Sequence, residues 1–204
     1  MHYLLVIKLG VKMIRGGIGG ANTQTGIRFE KKHDILEAIA KIEGYTISNN
    51  DILFNGQKVA EAYKKAQIYT KFLTQFGIIR KKIDGKYGVY IKTIDDEPPK
   101  KILSKSLEPD NSLFIINSKT IHILELKDQS GQGSVDEKLQ TCNFKKQQYE
   151  KLFGPFGIKV EFTYLLADWF KDKKYEDSLE YIKKSGCHYF FDHIDLSHLE
   201  LPTN

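Results

Sequence analysis

The chain reads as an α/β (α+β) protein built on a central mixed β-sheet flanked by helices. Three observations predict this. Apolar residues recur at strand and helix intervals in alternation, two β-rich runs face each other across the polar turn Asn117-Ser118-Lys119, and Ser134-Val135-Asp136-Glu137 forms a capping box that opens a helix after the second run. Through the second half the order is strand, strand, helix, strand, helix, which suits a mixed sheet with helices packed on it. With 204 residues, 41% hydrophobic content and no Pro/Ser-rich linker, one domain over 1–204 is expected.

The elements follow in order. Met1 to Ile7 is a short apolar run, a strand or a dimer contact, too short for a signal or a membrane span; no later stretch reaches the roughly twenty apolar residues of a transmembrane helix. Ile27 to Ile42 carries Ile27, Ile35, Ala38, Ile39 and Ile42 at helical intervals and stops at Gly44. Tyr45–Ser48 and Ile52–Phe54 form a small hairpin across Asn49-Asn50-Asp51. Gln57 to Phe76 repeats the helical pattern with Val59, Ala62, Tyr63, Ala66, Tyr69, Phe72, Leu73 and Phe76, and Gly77 closes it. Tyr87–Ile91 is a strand after Asp84-Gly85, in a region that decorates the core. Ser112–Ile116 and Thr120–Leu126 are the central hairpin. The helix begun at Ser134 turns Leu139, Phe144, Tyr149 and Leu152 inward and ends at Gly154. Ile158–Leu166 is a buried strand, Glu176–Lys184 a helix, and Cys187–Phe191 a last strand or extended tail.

The formal charge of +5 is unevenly spread: residues 1–106 hold 19 Lys and Arg against 10 Asp and Glu, and residues 107–204 hold 12 against 16. A basic half beside an acidic half suits a protein that binds a polyanion and holds a cation, although solvated helix faces give the same tally. Cys142 and Cys187 are too few for a disulfide framework and lack CxxC spacing, which fits a reducing cytoplasm. His188, His193 and His198 stand at intervals of five, matching no zinc-binding helix or finger, and His122 on its strand reads as a buried or edge histidine. Trp169, with Tyr164 and Phe170, reads as core or interface.

The chemistry concentrates in Pro109-Asp110 and Glu125-Leu126-Lys127. The hairpin brings Asp110, at the start of one strand, close to Glu125, at the end of the next. Residues i and i+2 of a strand project from one face, so Glu125 and Lys127 point together while Leu126 enters the core. Two carboxylates hold a hard divalent cation of the Mg²⁺ type, which neutralises charge on a scissile phosphate and lowers the pKa of an attacking water, and an adjacent ammonium orients that water. Two surface acids and a surface lysine would give the same letters. The context argues otherwise, because the charges end an apolar strand, where they are costly without exposure or a partner.

On these residues the chain resembles the PD-(D/E)xK nuclease superfamily, and specifically a type II restriction endonuclease. Asp128 to Thr141, containing Gly133-Ser134 and Glu137-Lys138, is similar to the segment after the catalytic strand in a group of those enzymes, and Gly19 to Glu30 is similar to the glycine-rich lead into their first helix. The resemblance runs from about Gly16 to near the carboxyl end. It implies a restriction-endonuclease-like core at about 107–170 and an N-terminal helical, DNA-contacting part at about 15–106. It further implies metal bound by Asp110, Glu125 and the Leu126 carbonyl, Lys127 orienting water, and Glu30 as a supporting acid. Cleavage of a specific short duplex site by a homodimer, one active site per strand, follows from the same resemblance, as does pairing with a DNA methyltransferase. For DNA contacts, glycines between Arg15 and Arg28 leave amides free for phosphate, and Asn22, Thr23, Gln24 and Thr25 can hydrogen-bond. Ser130 and Gln132 lie in a second flexible turn. Lys138 is placed to touch a phosphate, whereas Glu137 is explained by capping. A structure-specific or repair nuclease would share the triad, and a DNA-binding module without catalysis is the non-enzyme alternative.

Overall fold

The computed structural model describes residues 35–83, 85–93, 97–128, 135–191 and 193–203. In chain order its strands are β1 (Tyr45–Ser48), β2 (Asp51–Phe54), β3 (Gln57–Tyr63), β4 (Ile78–Ile83), β5 (Lys86–Ile91), β6 (Lys100–Leu103), β7 (Asn111–Ile115), β8 (Thr120–Lys127), β9 (Lys159–Leu166) and β10 (His188–Phe191). The helices are α1 (Ile35–Ile39), α2 (Val135–Leu139), α3 (Cys142–Phe153) and α4 (Glu176–Lys184). The main sheet has seven strands in the order β1-β2-β3-β7-β8-β9-β10, and β4-β5-β6 form a separate three-stranded sheet. Pairing is antiparallel from β1 to β8 and parallel from β8 to β10, so the central sheet is mixed.

β8 organises the sheet because both its faces are buried. Ile121 and Ile123 pack with Phe162 and Tyr164 of β9 and with Tyr149, Leu152 and Phe153 of α3. Leu124 and Leu126 face the other way, into a second cluster with Leu113, Leu165 and the tail residues Ile194, Leu196, Leu199 and Leu201. A strand covered on both sides reads as a near-continuous apolar run, as Thr120–Leu126 does. Among the described residues no helix is long and apolar enough to cross a membrane.

The first hairpin, the β7 and β8 strands, β9, α4 and β10 stand where the sequence predicts them, within a residue or two. β1 and β2, however, extend the main sheet. The expected helix over Gln57–Phe76 is absent. Residues 57–63 are strand, Ile68–Phe72 a π-helical turn and Leu73–Phe76 a 3₁₀ turn. Antiparallel partners on both sides, β2 and β7, outweigh the helical spacing of Val59, Ala62 and Tyr63. Asn55 and Gly56, both left-handed at φ 49° and 81°, make the two-residue turn from β2 into β3. The helix expected from Ser134 is broken at 140–141 into α2 and α3, and Ser134 itself lies outside the described residues. The Lys138 carbonyl accepts from Thr141 Oγ1 at 2.7 Å and from the Tyr164 hydroxyl at 3.0 Å. Leu139 before the break and Tyr149 and Leu152 after it are buried as expected, but Phe144 is 62% exposed. α1 ends at Ile39, and the earlier part of the expected 27–42 helix is outside the described residues, as is Met1–Ile7. Trp169 packs half-buried on the core and donates to the Tyr175 hydroxyl at 2.6 Å. Cys142 and Cys187 are both free and buried.

On the face covered by the tail, histidines distant in sequence meet. His122 of β8 is 1% exposed, with ring centroids 6.0 Å from His198, which lies 4.7 Å from His188 of β10. His198 Nε2 shares a 3.1 Å hydrogen bond with Thr163 Oγ1, and His188 Nε2 lies 3.2 Å from Glu161 Oε2. Glu200 Oε1 stands 3.5 Å from His122 Nε2, too long for a strong bond, so burial dominates and holds His122 below its ordinary range. Burial, with His188 and His122 beside it, pushes His198 down to about 4. Its hydrogen bond with His188, opposed by burial and helped by Lys159, draws Glu161 down to about 2.

A histidine kept neutral in the fold but ordinary when unfolded makes the unfolded chain bind more protons, so stability falls as pH drops from about 6.5 toward 4. Urea unfolding across that window is expected to show this decline, and His198→Gln is expected to flatten it. An unchanged slope in the variant would exclude His198 as its source.

Candidate active site

Register places the site. Asn111 pairs with Leu124 across the β7–β8 hairpin, so Asp110, one residue before β7, lies beside the end of β8. Its carboxylate continues the ladder, with Oδ2 accepting the Leu126 backbone N–H at 2.9 Å. Pro109 is buried, and its carbonyl accepts the Lys65 N–H at 2.9 Å. Pro109-Asp110 is thereby held between β8 and the loop that follows β3.

Glu125 and Lys127 project together onto the α3 side, while Leu126 is buried on the opposite face. Lys127 Nζ lies 2.9 Å from Glu125 Oε2, 3.0 Å from the Leu126 carbonyl and 3.9 Å from Asp110 Oδ2. The three side chains are between 9% and 14% exposed, so these are close to fully desolvated charges. Such ions are retained only when partners and hydrogen bonds compensate them. Tyr164, the register partner of Glu125 on β9, forms the floor, its ring 5.6 Å from Lys127 Nζ. Burial holds the Tyr164 phenol well above its ordinary value, as burial first and then Glu125 do for Tyr149. Both remain neutral hydroxyls.

Two further cations join the cluster that sequence reasoning did not find. Lys145 of α3 reaches the same Glu125 Oε2 at 2.9 Å, and Lys65 Nζ lies 3.3 Å from Asp110 Oδ1. The signal for Lys145 was there: three residues after Cys142 and four before Tyr149, it is a lysine on the buried stripe of its helix. Lys65 carries no such mark, because its loop position follows from the β3 pairing.

The oxygens assigned to metal by resemblance, from Asp110, Glu125 and the Leu126 carbonyl, all lie within 3.9 Å of one cationic atom, Lys127 Nζ. All are hard oxygen donors, the set that Mg²⁺ takes. They include only two carboxylates, and among the described residues no group of three or more His, Cys, Asp and Glu is arranged to hold a metal. Glu30, the third expected acid, lies outside the described residues, as do the DNA contacts expected from Arg15, Asn22, Thr23, Gln24, Thr25, Arg28, Ser130 and Gln132. Lys138 is exposed, with its carbonyl tied to Tyr164.

Asp110→Ala is expected to lower stability by about 1–3 kcal/mol in urea unfolding, since it removes the acceptor of the Leu126 N–H, whereas Asp110→Asn keeps an oxygen there and stays near the parent. Equal stabilities for the two variants would contradict that bond. No protein-family model, characterised protein or solved structure matches the chain.

Proposed function

We propose that the chain is a Mg²⁺-dependent endodeoxyribonuclease of the PD-(D/E)xK kind, acting like a type II restriction enzyme at a short duplex site. One observation carries the reading: Asp110, Glu125 and Lys127 meet at the carboxyl end of β8. Asp110 reaches sixteen residues along the chain to the Leu126 amide, and Glu125 twenty residues to Lys145, so the cluster is assembled by the hairpin and α3 together.

Asp110, Glu125 and the Leu126 carbonyl would hold the cation, which supplies charge neutralisation at the phosphate and acidifies water. Lys127 orients the attacking water and holds its proton-bearing face toward the carboxylates. Lys145, on the same Glu125 oxygen, keeps that carboxylate aligned with the strand end. The Tyr164 and Tyr149 rings exclude water from below, which strengthens every charge interaction above them. In this reading the enzyme works as a homodimer presenting one site to each strand, alongside a DNA methyltransferase that protects host DNA, in the cytoplasm.

With Mg²⁺ and supercoiled plasmid, the parent protein is expected to give fragments of fixed length. Lys127→Met and Glu125→Gln are expected to lose about a hundredfold or more of that cleavage. Cutting confined to branched DNA would replace the site-specific reading with a structure-specific one, and variants that cut like the parent would end both.

A further inference from the structure

The small sheet is chemically lopsided. Strands β4, β5 and β6 contain Arg80, Lys81, Lys82, Lys86, Lys100 and Lys101, and not one acidic residue. Ile78, Val89 and Leu103 bury one face of this sheet against the core. Register then puts Lys81, opposite Gly88, and Lys101, opposite Tyr90, on the other face. Lys86, two residues before Gly88, shares that face, whereas Lys82 and Tyr87, partners in register and both exposed, lie on the face of Arg80 and Val89. Lys81, Lys82, Lys86, Lys100 and Lys101 are all exposed, and no ion pair joins them to a described carboxylate. A sheet face carrying cations of one sign and no acid presents a positive potential that a polyanion complements.

The patch is joined to the candidate site through the backbone that delivers Asp110. Ser106 N–H donates to the Tyr87 carbonyl at 2.8 Å, and Arg80 pairs with Glu108, two residues before Asp110. Tyr87 is 44% exposed, with the Arg80 guanidinium 4.4 Å and Lys82 Nζ 5.7 Å from its ring centre. Arg80, through Glu108, thus ties the small sheet to the segment that carries Asp110.

We propose that the outer face of the β4-β5-β6 sheet is a docking surface for the phosphate backbone of duplex DNA, gripping the duplex through Lys81, Lys86 and Lys101. The choice of DNA as the polyanion rests on the nuclease reading; the surface itself rests on its cations and its tie to Asp110. Phosphate contacts of this kind position a duplex without reading sequence.

The test is fluorescence anisotropy of the full chain with duplex oligonucleotides in EDTA, where no cutting occurs, over a range of salt. Each phosphate-bound lysine contributes about 0.9 to the slope of log K against log salt. The triple variant Lys81→Gln/Lys86→Gln/Lys101→Gln is expected to lower that slope by about 2 to 3 and to weaken binding equally for unrelated duplex sequences. Unchanged affinity and slope would overturn the docking surface, as would a loss confined to single-stranded RNA or anionic vesicles. If the parent binds but cuts no DNA with Mg²⁺ while the variant still loses affinity, the surface stands and the nuclease reading falls. If the parent cuts and the variant binds as well as the parent, the reverse holds.

Discussion

One hydrogen bond ties the chemistry of this protein to its architecture: Asp110 Oδ2 accepting the Leu126 N–H. At the open end of β8 the β7 ladder has run out, and an exposed strand end would carry an unpaired amide. The carboxylate fills that place, so an acid of the charged cluster also closes the sheet. Its partners on either side, the Lys65 N–H on the Pro109 carbonyl and Arg80 on Glu108, fix the segment by three independent elements. Position there is a consequence of folding as a whole, because β3, the small sheet and β8 must each be in place.

The charges above this bond show why a buried polar cluster can persist in an apolar protein. Glu125 and Lys127 are nearly desolvated, a state that costs several kcal/mol per ion when unpaired. Here Glu125 Oε2 meets two ammoniums and Lys127 meets a carboxylate and a carbonyl. The aromatic floor of Tyr164 and Tyr149 keeps solvent out, and neither phenol competes as a charge because burial keeps both protonated. The same sheet carries its other polar region, the His122, His188 and His198 group, on the opposite face under the tail. Two polar regions are thereby separated by the thickness of one sheet.

What the sequence revealed follows from which signals are local. That Asp110, Glu125 and Lys127 meet was legible, because a tight turn fixes the hairpin and period-two alternation fixes the face. β3 was missed because Val59, Ala62 and Tyr63 fit a helix as well as a strand, although Asn55-Gly56 just before them is a strong hairpin turn. At the break before α3 the Lys138 carbonyl is taken by the Thr141 hydroxyl, a local signal, and by the Tyr164 hydroxyl, a partner on another strand that leaves no local mark. Lys145 could have been found as the odd charge on an apolar stripe, while Lys65 could not. The basic sheet was blurred by counting charge over halves of the chain, since the same half also holds the acids of other segments.

Two carboxylates in the cluster face three ammoniums, from Lys65, Lys127 and Lys145. The chain's own ammoniums thus already sit on the carboxylate oxygens of the cluster. Any divalent ion taken up there enters as a replacement of one positive centre by another, an ion exchange in which an ammonium yields its place. Uptake of that kind is governed by competition, so occupancy would track the difference between two cations' preferences for the same oxygens.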